Sequence, residues 1–185
     1  MERVAGAGRI LELGCGYGRV LGRMAGVGDV VVGIDTSPAS LGLACAELGP
    51  RVGLALMDAA DLGFGDGAFD AVVCLQNGLS AFHADRHRVV GEALRVLSTG
   101  GVALFSSYAD SFWEHRLEWF RLQAANGLVG AIDEAATGDG NIVCRDGFTA
   151  TTIRPDDFRG LFADRGVEPE IVTVDDSSLF CVVTV

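Results

Sequence analysis

Glycines at positions 14, 16 and 18 follow directly on an apolar run, Arg9–Leu13, and open a segment of helical period. Backbone without side chains can approach a ligand closely, and a helix N-terminus offers free N–H groups to a carboxylate or phosphate. Asp35 ends the next apolar run, 21 residues after Gly14. An acid there can accept both hydroxyls of a ribose. Asp58, followed by Ala59, ends a third run, where an acid and its neighbouring amide can read an adenine edge. A fourth run leads into Leu75-Gln76-Asn77. Polar groups at four successive strand ends, converging on one crevice, describe a nucleoside site. The plainer reading is a close-packed turn with two helix-capping acids. A nicotinamide fingerprint does not fit: Arg19 stands at the third glycine's place counted from Gly14, and Leu21 counted from Gly16.

Three histidines are candidates for proton transfer. His83 follows the fourth run and is the candidate general base or acceptor contact. His87 reads as solvated and His115 as a helix-surface residue. Cys15 and Tyr17 lie in the glycine loop and would touch a ligand through backbone. The five cysteines contain no CxxC pair, so they read as reduced, mostly packed thiols and not as a zinc site. No metal is expected.

The elements that must position these residues alternate. Arg9–Leu13, Val30–Ile34, Val52–Met57, Phe69–Leu75 and Val102–Ser106 read as buried strands. Between them, Arg19–Ala25 reads as a helix. A second helix opens at Pro38 behind a Ser37 cap, with Leu41, Ala44, Cys45 and Leu48 on one stripe. Asp85–Leu97 forms a third and stops at Thr99-Gly100-Gly101. Uninterrupted apolar strands separated by helices imply a doubly wound α/β, Rossmann-like sheet, mostly parallel, with ligands at the carboxyl ends of the strands. Asp110–Asn126 has helical period, with Trp113, Leu117, Phe120 and Ala124 on one stripe and Phe112 and Trp119 on another. Ile142–Arg145 and Phe148–Thr152 read as a hairpin with a type I′ turn at Asp146-Gly147. Pro155 opens a last helix. Val167–Val174 and Leu179–Val185 close the sheet as an antiparallel pair.

The chain of 185 residues is one domain's worth, 49% hydrophobic and 21% charged, which excludes disorder. No uncharged apolar run is long enough for a membrane span, and Met1-Glu2-Arg3 begins no secretory leader. A cytoplasmic location is expected. Twenty-five acids against fourteen bases, all arginine, give a net charge of −11. That field opposes nucleic-acid backbones. It is compatible with plain solubility or with a high-salt cytoplasm.

The stretches ILELGCGYGR (10–19), VVGIDTSP (31–38), MDAADL (57–62), FDAVVC (69–74) and EALRVLSTGGVALF (92–105) resemble the class I S-adenosylmethionine-dependent methyltransferases. Thr99 stands where the family usually has proline. The resemblance covers residues 9–107 and continues through 155–185. It implies that Gly14, Gly16 and Gly18 wrap the methionine and ribose of S-adenosylmethionine. Cys15, Tyr17 and Thr36 would add contacts, and Glu12 would steady the loop or meet the amino group. Asp35 would hold the ribose, Asp58 and Ala59 the adenine, and Leu75 and Gln76 the sulfonium side. Only eight residues precede the first strand, where the family usually carries a lid. Residues 108–153 are therefore expected to cap the substrate, with a homodimer as the other source of cover. Asn77, His83, Trp113 and Trp119 are the expected acceptor contacts. The implied function is methyl transfer to the oxygen, nitrogen or carbon of a small molecule. The alternative is a cofactor-binding regulator or scaffold without turnover.

Overall fold

A computed structural model of the chain describes Glu2–Phe82 and Ala84–Val185. Nine strands form: β1 (Arg9–Leu13), β2 (Val30–Asp35), β3 (Gly53–Leu56), β4 (Phe69–Cys74), β5 (Leu97–Tyr108), β6 (Asn141–Val143), β7 (Thr149–Thr151), β8 (Glu170–Val174) and β9 (Ser178–Thr184). Seven of them build one sheet in the order β3-β2-β1-β4-β5-β9-β8. The pairs β1–β2, β2–β3, β1–β4 and β4–β5 are parallel; β5–β9 and β8–β9 are antiparallel. The chain winds outward from β1 to β3, then returns to place β4 on the other side of β1. Strand order therefore reverses between β1 and β4, where the carboxyl ends of the strands leave a crevice.

Burial on both faces explains the apolar strands. Ile10, Val31, Ala71 and Val73 pack against Leu21 and Met24 of α1 (Leu21–Met24) and Leu48 of α2 (Pro38–Leu48). On the opposite face Leu11, Val72, Ala103 and Phe105 meet α4 (Arg86–Arg95) and α6 (Pro155–Phe162) through Val89, Val90, Phe158 and Phe162. A short α3 (Gly78–Ala81) follows β4. Caps set the helix starts: Ser37 Oγ accepts from Ser40 N ahead of α2, and Asp85 Oδ1 accepts from His87 N ahead of α4.

The segment between β5 and α6 makes its own small unit. A 3₁₀ turn over Asp110–Phe112 leads into α5 (Trp113–Ala125). Leu117 and Phe120 of that helix pack with Ile132, Ile142, Cys144 and Ala150 as a third apolar cluster, over the β6–β7 hairpin. Asn77 Nδ2 donates to Thr151 O, Arg86 donates to Thr151 Oγ1, and Ile153 N donates to Ser107 Oγ. Those bonds fix the hairpin beside the carboxyl ends of β4 and β5.

Four local expectations change. The first helix shrinks to Leu21–Met24 because residues 17–20 remain in the turn that carries the loop across. β5 begins at Leu97, which pairs with Phe69 before the register shifts, so Thr99-Gly100-Gly101 lies inside the strand. The hairpin turn is not type I′: only Gly147 of the Asp146-Gly147 pair is left-handed. Gly147 N donates to Cys144 O and Cys144 N to Phe148 O, a three-residue loop with a bulged glycine. The Asp146 carboxylate holds it by accepting from Phe148 N and Gly130 N. Finally, Cys45 is exposed while the other four cysteines are buried, because α2 turns Ala44, Leu48 and, in part, Leu41 to the sheet and leaves Cys45 outside.

Candidate functional site

Among the clefts at the carboxyl rim, two are separated by the short segment that follows β4. The first, about 420 Å³, is lined by Gly14, Asp35, Thr36, Asp58, Ala59 and Phe82, among others. Gly14 brings the start of the glycine loop to it. Cys15 N donates to Ile34 O at 2.9 Å, tying the loop to β2. Asp35 sits at the end of β2 and grips the loop in turn: Oδ2 accepts from Gly16 N and Oδ1 from Ser37 N, both at 2.8 Å. Each carboxylate oxygen has further lone pairs to offer a ligand hydroxyl. Asp58 accepts from Ala60 N through Oδ1 at 2.8 Å. The Phe82 ring leans on Gly14, where a Cβ would stand 2.6 Å from it. A side chain at 14 is therefore excluded by packing as well as by its φ of 68°.

Beneath the loop, Glu12 is 4% exposed and its Oε2 has no partner. Burial pushes its carboxyl up to about 8, against the pull of the Leu21 N–H and with the help of the Asp35 charge. A dry carboxyl with a vacant oxygen holds its proton at neutral pH and becomes a receptor for a charged N–H donor on releasing it.

Other loop residues turn away. Cys15 is buried, with burial pushing its thiol up to about 12. At Gly18 a Cβ would come within 2.7 Å of Leu48, so its bareness serves the contact with α2. Tyr17 is 57% exposed and lines an outer groove with Leu43 and Glu47.

The second cleft, about 390 Å³, is lined by Arg19, Leu75, Gln76, Ser106, Tyr108 and Phe180, among others. Leu75 and Gln76 thus line this cleft and not the one holding Asp35 and Asp58. Gln76 and Asn77 are both left-handed, with φ of 57° and 64°, a conformation that costs energy outside glycine. Gln76 N donates to Ser106 Oγ at 2.8 Å, and Gln76 Oε1 accepts from Arg19. Asn77 is 6% exposed; its Nδ2 donates to Thr151 O at 3.1 Å and its Oδ1 accepts from Ser107 Oγ at 3.0 Å. Both ends of its amide are engaged within the protein, so the side chain expected to meet an acceptor is a bolt between β4, β5 and β7.

Trp113 is half-buried and packs against the third apolar cluster. Trp119 is 50% exposed, set edge-on to Phe120, and lines neither cleft. His83 lies outside the described residues. Phe82, Ser106 and Tyr108 line these clefts without having been expected there, and Arg116 stands against Tyr108. Only Ser106 and Tyr108 carried a signal, as polar interruptions at the carboxyl end of an apolar strand. Arg116 is 1% exposed; it donates to Gly140 O, Ala150 O and Thr152 Oγ1, and its guanidinium lies 4.7 Å from the centre of the Tyr108 ring. Burial pulls it down to about 10, so it stays charged at neutral pH.

A larger hollow of about 680 Å³ lies at the opposite rim, between Arg3, Asp70, Ser98 and Glu170. It faces the amino ends of the strands, away from the switch point, and gathers ion pairs such as Arg9–Asp70 and Arg3–Glu170. Among the described residues no group of three His, Cys, Asp or Glu side chains could hold a metal ion. No helix there is long and apolar enough to cross a membrane.

Residues 10–101 match the methyltransferase domain family. The chain belongs to the class I S-adenosylmethionine-dependent methyltransferases. It is 35% identical over 103 residues to a ubiquinone biosynthesis O-methyltransferase of Thiobacillus denitrificans, covering 54% of this chain and 44% of that protein. The chain spans about half the length, or less, of the curated relatives it matches. A SAM-dependent methyltransferase structure from Methanosarcina mazei superposes with a TM-score of 0.69 at 21% identity, covering 95% of this chain and 91% of that one. The [4+2]-cyclase SpnF superposes with a TM-score of 0.52 at 33% identity, over 58% of this chain and 42% of its own.

This methyltransferase-family chain is therefore expected to bind S-adenosylmethionine, and its residues fit that group. The cofactor offers an ammonium, a diol and an adenine edge. One cleft wall provides a carboxylate at Asp35 and a second at Asp58 beside the Ala59 N–H, and an orphaned buried oxygen at Glu12 lies two residues before Gly14 of the same cleft. At Gly16 a Cβ would meet nothing within 4 Å, so the loop presents open backbone to a ligand.

Proposed function

We propose that the protein transfers the methyl group of S-adenosylmethionine to a small acceptor seated in the second cleft. The observation that carries this is the shared partition. The cleft with Gly14, Asp35 and Asp58 and the cleft with Arg19, Ser106 and Tyr108 lie on either side of residues 75–78. In this reading Glu12 receives the cofactor's ammonium, Asp35 its ribose hydroxyls, and Asp58 with the Ala59 N–H its adenine. The Gly14–Gly18 backbone wraps the chain between them, and Phe82 covers it.

When bound, the cofactor supplies an electrophilic methyl group on a sulfonium. The protein's work is to hold an acceptor in line with that methyl and to keep water out. Gln76 and Asn77 hold the partition in a fixed conformation through Ser106, Ser107 and Thr151. Residues 108–153 close one side of the acceptor cleft as its cap. Five unpaired cysteines support a reducing, cytoplasmic setting.

Calorimetry with S-adenosylhomocysteine tests the reading. Asp35→Ala should weaken binding by about tenfold or more, the scale of a lost charge-assisted hydrogen bond. Unchanged affinity, or no heat with the wild-type chain, would remove the assignment. A second reading, binding without methyl transfer, is favoured by the likeness to SpnF, a cyclase. Labelled cofactor incubated with a metabolite extract separates the two, since only a transferase releases labelled product.

A further inference from the structure

We infer that the acceptor is an anion, a small molecule carrying a carboxylate, and that Arg19 is the residue that selects it. The inference rests on the transferase reading above and concerns the same second cleft. In a chain with 25 acidic residues, the ten residues lining that cleft include one arginine and no acid. Its other polar groups are hydroxyls and amides: Ser106, Ser107, Ser178, Tyr108, Gln76 and Asn77.

Unlike seven of the arginines, Arg19 meets no carboxylate among the described residues; the exposed Arg23, Arg51 and Arg145 meet none either, but they line neither cleft. Arg3, Arg9, Arg88, Arg95, Arg121, Arg154 and Arg159 each meet a carboxylate. Among the described residues Arg19 donates only to the neutral Gln76 side chain. One Nη2 proton is engaged there, which leaves one two-donor edge of the guanidinium open to a planar oxyanion, the geometry that group serves best. Ser106 Oγ accepts from Gln76 N, so its O–H is available to donate to the same anion. Behind the Tyr108 ring stands a second cation, Arg116, buried and facing only carbonyls, a hydroxyl and aromatic rings. Low-dielectric surroundings screen it little, so it adds to the attraction felt in the cleft.

The same carboxylate chemistry could come from the cofactor's own methionine end, and the test separates the two sources. The intact chain, saturated with S-adenosylhomocysteine, is titrated by ligand-observed NMR with matched acid and amide pairs. Benzoate and benzamide, 4-hydroxybenzoate and 4-hydroxybenzamide, and lactate and lactamide serve as probes. Acids should bind about tenfold or more tightly than their amides. Arg19→Gln should abolish the difference, and Arg19→Lys, which keeps the charge without the fork, should retain part of it. No preference for any acid overturns the inference, as does a preference that survives Arg19→Gln. A comparable loss of S-adenosylhomocysteine affinity in Arg19→Gln also overturns it, assigning the arginine to the cofactor. Should the wild-type chain bind no S-adenosylhomocysteine, the transferase reading fails separately, and the paired probes still report the charge of the cleft. Thermal unfolding checks that each variant is folded; if Arg19→Gln is not, the Arg19→Lys comparison decides.

Discussion

Glu12 is a carboxylate kept dry beneath the loop that it supports, and its chemistry makes the protein's stability depend on pH. Folding raises its carboxyl from 4.5 to about 8. Between those values the folded state holds a proton that the unfolded state has released, so this residue's contribution to stability falls as pH rises through the window. Glu12→Gln should therefore stabilise the ligand-free chain at pH 9 by a margin on the order of a few kcal/mol. That margin should shrink to nothing towards pH 4.5. Denaturant unfolding at a series of pH values measures it, and a constant margin would contradict the account. The sequence could show that Glu12 precedes a glycine loop; it could not show that one oxygen lacks a partner, because that depends on how β2 and α1 close over it. Asn77 lines the second cleft as expected, but the bonds it makes were not legible, for a similar reason. An amide after a strand reads as exposed chemistry until Ser107 and Thr151 are seen to engage both its ends.

Elements were more legible than contacts. Strands β1, β2 and β4 are mostly apolar because both sheet faces are covered, and such runs announce themselves. The cap is harder to read, since its turns depend on side chains from elsewhere in the segment, as when Asp146 holds Gly130. Asn77 is the link between the cap and the sheet that makes an element-scale prediction. Asn77→Ala removes two buried hydrogen bonds and leaves alanine at φ 64°. A loss of roughly 2–4 kcal/mol is expected. Asn77→Gly relieves the backbone and should recover part of it. Hydrogen exchange should quicken over 141–151 while the amides of β1 and β4 stay protected. Uniform quickening across the sheet would show that Asn77 serves the whole fold and not the cap.

Across the whole molecule the dominant quantity is charge: −11, with arginine as the only strong base. The recorded ion pairs lie mostly at the surface, where each contributes little, so like-charge repulsion sets the response to salt. Raising salt from low millimolar to physiological strength should lift the unfolding midpoint by about 2–4 °C, the size of a change near 1 kcal/mol in a chain of this length. Scanning calorimetry checks this, and a falling midpoint would mean that the pairs matter more than the net charge. The same field accounts for the expectation that extended nucleic acids are not partners.

Residues 113–150 carry an apolar cluster of their own and meet the sheet through a handful of polar links around Thr151 and Ile153. That construction makes the segment an exchangeable cassette. Relatives could diverge in what they recognise by rewriting this stretch alone, and a protein engineer could graft a foreign helix and hairpin here while the nucleotide-facing half stays untouched.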